Sequence, residues 1–204
     1  AKFWASSYED KRPELTDAQR KVLSHYDNAT LYNDSIVAEI VKRFQKEDAV
    51  IIYVPDHGEE CYEENRGFIC RNHSANIDWK LAHYEFEIPF WIYCSKKYIQ
   101  KHRAIYRQIR AAKDKRMMTD ALPHLLLYLA GIETPTYKEE NNILSPKYNE
   151  MRPRILKNSA NYDKLRDEYL KTQAKQEEKK QDKKKDKKKD KKQGKKQTKK
   201  GVRK

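Results

Sequence analysis

Long apolar runs are missing from this 204-residue chain, and no stretch approaches the roughly 20 residues that span a bilayer. That excludes a helical membrane anchor within these residues, and no secretory signal is expected at their start. Cysteine is scarce as well. Cys61, Cys70 and Cys94 are too few for a disulfide framework. Cys61 and Cys70 either close a small loop in an oxidising compartment or stay a reduced, buried pair. Aromatic residues are absent from residues 175–204, which hold 17 Lys/Arg and 5 Asp/Glu. Lysine clusters attract polyanions by counterion release, but this stretch has nothing on which bases stack. The preceding 174 residues carry 28 Lys/Arg and 26 Asp/Glu, so no basic face is expected there and no nucleic-acid partner. A mean hydropathy of -1.13 implies that part of the chain does not fold, and the pI near 9.5 therefore describes a tail. Its lysine blocks bury no apolar surface and are expected to be disordered. The tail is either solvated without a partner or drawn to anionic lipid headgroups, at about 1 kcal/mol per lysine.

What is present is helix and strand periodicity up to about residue 165. Thr16-Asp17-Ala18-Gln19 has the form of a capping box. Behind it Val22, Tyr26, Ala29, Ile36, Val37, Ile40 and Phe44 recur at helical spacing, which predicts one long helix or two abutting ones over 17–46. Residues 49–54 form a β-branched apolar run that reads as a buried strand. Residues 88–94 form a second, with Pro89 near its start, where a missing donor is tolerated. Between them an irregular polar loop is expected from Pro55 to about Tyr84. Ser95 is expected to cap a basic helix running to about Lys113. Thr119 is expected to cap another through Leu122, Leu125, Leu126 and Leu129, stopped by Gly131. A short strand at Arg154-Ile155-Leu156 precedes a charged helix that dissolves into the tail. The alternation predicts an α/β fold with helices on the faces of a sheet. Two or three strands make that sheet incomplete, and the chain opens on Ala1, so the expectation is a piece of a longer protein.

Pro55-Asp56-His57-Gly58-Glu59 follows the first strand, at the end where α/β sheets present functional groups. A carboxylate beside an imidazole offers two of the ligand types that Zn²⁺ takes. Locally the same residues also spell an Asp-Gly turn with a bystander histidine; the wider sequence decides between them. Glu59 and Glu60 either orient His57 or face solvent. His124, one turn beyond Asp120, is expected in a structural role, and His25 and His102 at the surface. His83, flanked by Ala82 and Tyr84 ahead of the second strand, has no spacing that argues for contact with a substrate. Trp79, Tyr84 and Phe86 are expected in core packing.

Tyr26-Asp27-Asn28-Ala29-Thr30-Leu31-Tyr32-Asn33-Asp34, then a strand, then Asp56-His57-Gly58-Glu59, resembles the phosphoethanolamine transferases of the alkaline phosphatase and sulfatase superfamily. Glu64-Asn65 and Gly67, the strand Glu87-Ile88-Pro89-Phe90 and the helix from Met118 to Ile132 resemble further family elements in the same order. The resemblance covers residues 3 to about 165. It implies an alkaline-phosphatase-like α/β/α sandwich of which only the carboxyl-terminal portion is present, over 1–165, followed by a charged helix and Lys-rich tail over 166–204.

Such proteins are inner-membrane enzymes with an amino-terminal membrane domain and a periplasmic catalytic domain. They transfer phosphoethanolamine from phosphatidylethanolamine to lipid A or lipopolysaccharide core sugars. The resemblance implies that Asp56 and His57 are Zn²⁺ ligands, that Glu59 supports them, and that His73 meets a second zinc or the substrate phosphate. The loop before His73, lengthened by Arg66 and its neighbours, departs from the family spacing. The threonine nucleophile of the family, which carries the phosphoenzyme intermediate, is expected upstream, so no catalytic residue of that kind is expected here. A sulfatase or phosphoglycerol transferase of the same superfamily is the alternative, and a polyanion-binding fragment acting through its tail is another.

Overall fold

The computed structural model describes residues 1–63, 68–70 and 77–179. Contacts divide the chain into two units, Ala1–Ser74 with Lys80–Arg152, and Ala75–Trp79 with Pro153–Lys204.

In the first unit the capping box forms as expected. Thr16 Oγ1 accepts a hydrogen bond from the Gln19 amide at 3.3 Å, and Gln19 Oε1 accepts one from the Thr16 amide at 2.8 Å. The helix so started, α1, is unbroken over Asp17–Phe44. Its first half packs on a short 3-10 turn, Ala5–Tyr8. Tyr8, Leu15, Leu23, Cys61 and Tyr62 bury together there, with Phe3 and Tyr26 against them.

The two expected strands are β1, Val50–Tyr53, and β4, Trp91–Cys94, paired antiparallel with Val50 opposite Cys94. Between them lie β2, Glu60–Cys61, and β3, Phe68–Cys70, also antiparallel. A helix the sequence reading treated as loop, α2, runs over Trp79–Phe86.

Alternation along β1 and β4 puts Ile52 and Ile92 on one face of the sheet, in the core built on Leu125, Ala112, Ile143 and Leu144. Tyr53 and Trp91 lie on the other face, their rings stacked at 5.2 Å. The basic helix expected after Ser95 is two helices, α3 over Lys96–Lys101 and α4 over Arg103–Ala111. The break is at His102, whose φ of -115° and ψ of 46° leave the helical region. Asp48 holds both sides of that break, at 3.0 Å from Lys101 Nζ and 3.3 Å from His102 Nε2.

Helix α5 covers Leu122–Ala130, preceded by a 3-10 turn at Thr119–Ala121 in which no side chain caps. The expected Thr119 cap does not form; Pro123, at the start of α5, is suited to a first turn by its fixed φ. Gly131 ends α5 at φ 65°, a left-handed value that glycine adopts without penalty.

In the second unit Ile155–Leu156 and Ala160–Asn161 form a hairpin, β5 and β6. Lys157 and Asn158 at its tip both have positive φ, the twist that a tight hairpin turn requires. A helix, α6, follows over 162–179. Trp79 packs on Tyr162 and Tyr169 at 5.2 and 6.0 Å, which is core packing as expected. Arg154 lies over the Tyr162 ring at 4.4 Å and pairs with Asp163 at 2.6 Å.

Candidate metal centre

Asp56 and His57 come three and four residues after β1, and the structure brings their side chains together. His57 Nε2 lies 3.5 Å from Asp56 Oδ2, and the His57 amide donates to Asp56 Oδ1 at 3.1 Å. On its other edge the imidazole meets the Gly58 carbonyl, Nδ1 to O, at 2.8 Å. A carbonyl only accepts, so Nδ1 carries the proton and Nε2 presents a lone pair beside the carboxylate. Two ligands at roughly 2.0–2.2 Å from a tetrahedral zinc stand roughly 3.3–3.5 Å apart. The donor types, tautomer and separation therefore fit a zinc ion. The Asp56 side chain is 85% exposed and that of His57 23%, so the couple opens to solvent on the carboxylate side. Among the described residues no group of three or more His, Cys, Asp or Glu gathers as a metal cluster. The couple by itself offers two donors, fewer than the four of a tetrahedral zinc site.

The loop is held from behind. The Gly58 amide donates to the Glu85 carbonyl in α2 at 2.8 Å. A Cβ on residue 58 would sit 2.2 Å from the Tyr84 carbonyl oxygen, closer than any side chain tolerates. Glycine is required there by close approach, not by turn geometry. On the far side Tyr62 adopts φ 67°, a strained value for a bulky residue. Its carbonyl accepts from an Arg12 guanidinium nitrogen at 2.7 Å.

Glu59 is half-buried; the group on His57 Nδ1 is the Gly58 carbonyl. Glu60 is fully enclosed at 0% exposure, and Glu85 in α2 is at 2%. Neither buried carboxylate was evident from the sequence. The only available hint was Glu85 standing one helical turn beyond Ala82, itself fully buried.

The Tyr26-Asp27-Asn28 motif has a structural use. Asn28 Oδ1 accepts from the amides of Lys2 and Phe3 at 2.7 and 3.1 Å, and its Nδ2 donates to the carbonyls of Phe3 and Ser24 at 2.8 and 2.7 Å. Asp27 accepts the Tyr8 hydroxyl. Burial first, then that bond, pushes the Tyr8 phenol well above its usual range. Tyr26 is also raised, by burial and then by Cys61 and Glu59, which shows how near this helix lies to the candidate loop.

His73 falls outside the described residues, as do Glu64, Asn65 and Gly67. His83 pairs with Glu87 at 3.0 Å on a half-exposed face. His124 accepts the Lys138 amide at 3.1 Å, the structural role expected of it. Across β2 and β3, Glu60 stands opposite Cys70 and Cys61 opposite Phe68.

The sulfatase family profile matches residues 2–132. The chain belongs to the sulfatase family. Several of this family member's relatives are phosphoethanolamine transferases. EptC of Escherichia coli K12 is 29% identical over 140 residues, which are 68% of this chain and 23% of that protein. EptA of Helicobacter pylori is 31% identical over 93 residues, 45% of this chain and 17% of that protein.

Among solved structures, the C-terminal periplasmic domain of E. coli EptC superposes with a TM-score of 0.58 at 24% identity, and a zinc complex of that domain matches equally. The match covers 78% of this chain and 46% of that domain. The sulfatase-family chain therefore has the alkaline-phosphatase-like fold in part, spanning about a quarter of its curated relatives and about half of the solved domain. No helix among its described residues is long and apolar enough to cross a membrane.

Proposed function

We propose that this chain is the carboxyl-terminal part of the catalytic domain of a zinc-dependent phosphoethanolamine transferase, facing the periplasm, with phosphatidylethanolamine as donor and lipid A or lipopolysaccharide as acceptor. The observation that carries the reading is the convergence of Asp56 Oδ2 and His57 Nε2 at 3.5 Å with the Nδ1 proton committed to Gly58. Membership of the sulfatase family and similarity to transferases named for this reaction support it.

Asp56 and His57 would hold the zinc, which when bound supplies positive charge for phosphoryl oxygens and lowers the pKa of a coordinated hydroxyl. Each residue then has a defined task. Gly58 fixes the imidazole tautomer through its carbonyl and anchors the loop on α2 through its amide. The Asp56 carboxylate, on the open side of the couple, would donate a lone pair to the ion and offset part of its positive charge. His73 is proposed to meet the substrate phosphate or a second zinc. The attacking threonine is assigned to sequence outside these residues.

In the complete protein, Asp56→Ala or His57→Ala is expected to abolish phosphoethanolamine addition to lipid A and to lower zinc content, read by mass spectrometry of the lipid and metal analysis of the protein. Wild-type modification by either variant removes the assignment.

A further inference from the structure

Near-neutrality of the first 174 residues conceals a strong separation of charge. Residues 95–118 hold nine Lys/Arg and one Asp, while the rest of 1–174 holds 19 Lys/Arg and 25 Asp/Glu. The expectation that no basic face precedes the tail is therefore corrected by α4. Ile105 and Ile109 of this helix pack into the core around Leu125. Arg103, Arg107 and Arg110 lie at i, i+4 and i+7 on the exposed side, with Ala104 and Ala111 between and beside them. No ion pair joins these three arginines to a carboxylate among the described residues.

Three arginines at this spacing, spread over about 10 Å of helix and flanked on the exposed side by Ala104 and Ala111, make a straight cationic row. Such a row complements a plane of phosphates better than a single enclosed one. The α4 face offers no exposed aromatic ring, since Tyr106 is half-buried, so the base stacking that single-stranded nucleic acid uses is absent from this face. The apolar side of α4 is committed to the core, so the helix cannot insert into acyl chains.

We propose that the Arg103–Arg107–Arg110 face of α4 docks the protein on the anionic phospholipid surface of a membrane, by charge alone and without insertion. This goes beyond the transferase reading and does not depend on it, because the readout is vesicle binding with no turnover.

The test is co-sedimentation of the full chain with vesicles of phosphatidylcholine containing about a third phosphatidylglycerol, at low and at physiological salt. Arg103→Gln/Arg107→Gln/Arg110→Gln is expected to weaken partitioning on the order of a hundredfold at low salt. The Arg→Lys triple at the same positions keeps it. To separate the α4 face from any binding by the tail lysines, each variant is also made in the same chain with its lysines beyond residue 179 changed to Gln. There the α4 face should account for the remaining, salt-sensitive binding. Unchanged partitioning of the Arg→Gln triple in that background overturns the proposal. Equal binding to neutral vesicles does so too, as does preferential capture by single-stranded nucleic acid. Circular dichroism of the triple, expected to match the parent, separates lost docking from lost folding.

Discussion

At the scale of single residues, the candidate centre depends on the glycine that follows its two donors. Gly58→Ala would force a methyl group to within 2.2 Å of the Tyr84 carbonyl, and backbone on both sides leaves no flexible end to give way. The expected outcome is a loss of about 1–3 kcal/mol in urea unfolding. In the intact protein, zinc affinity should fall with it, because the Gly58 carbonyl that fixes the His57 tautomer is displaced. Retained stability and zinc affinity in Gly58→Ala would show that the loop is not held by α2.

The adjacency of Asp56 and His57 was legible in the sequence because both donors sit side by side after a recognisable strand. The reason for Gly58 was not legible. Its contact comes from residues 26 and 27 positions later, in a helix whose mixture of aromatic and charged residues hid its period. Asn28 shows the same limit: its motif was recognisable, but three of its four hydrogen bonds to backbone groups are made to Lys2 and Phe3, in an amino-terminal segment with no periodicity of its own.

At the scale of elements, local chemistry predicted starts and stops well where one side chain decides them, as at the Thr16 capping box and the Gly131 stop. It failed where tertiary contacts decide, as at His102, where Asp48 helps to divide one expected helix into two.

Ser95 was expected as a cap and does more. Its Oγ accepts from the amides of Tyr98 at 3.0 Å and Ala49 at 3.3 Å and donates to the Glu47 carbonyl at 2.6 Å. It is fully buried, so it joins the start of β1 to the start of α3. Ser95→Ala is expected to cost about 2 kcal/mol or more, because a lost cap is compounded by backbone groups left unsatisfied. Ser95→Thr, which keeps the hydroxyl, should recover part of that. Equal chemical unfolding midpoints for Ser95→Ala and the parent would contradict this role.

At the scale of the whole molecule, Tyr32, Ile36, Ile40 and Phe44 stay exposed along α1, Tyr32 at 70%, and the chain matches 46% of the solved domain. Both facts agree with a partial sheet and with the incompleteness expected from two or three strands.

Stability should also be acid-sensitive in a defined direction. Hydrogen bonding from Lys101 holds Asp48 below its ordinary 3.8, and hydrogen bonds from Lys147 and Ser145 hold Glu139 below 4.5. Depressed carboxylates stabilise fully above their ordinary values, and that stabilisation is lost as pH falls through the lowered folded-state values. Both groups are exposed, so the effect is small and salt-screened. Unfolding midpoints should be level above the ordinary values and decline as pH falls below them, with a shallower decline in Asp48→Asn. An identical acid profile for that variant would show that the Asp48 pairs do not form in solution.

The clip between the Gly58 amide and the Glu85 carbonyl makes the end of α2 a lever. A shift of that helix would be passed through one backbone hydrogen bond to His57 and Asp56, 28 and 29 positions earlier in the chain, and would open or narrow the gap between their side chains.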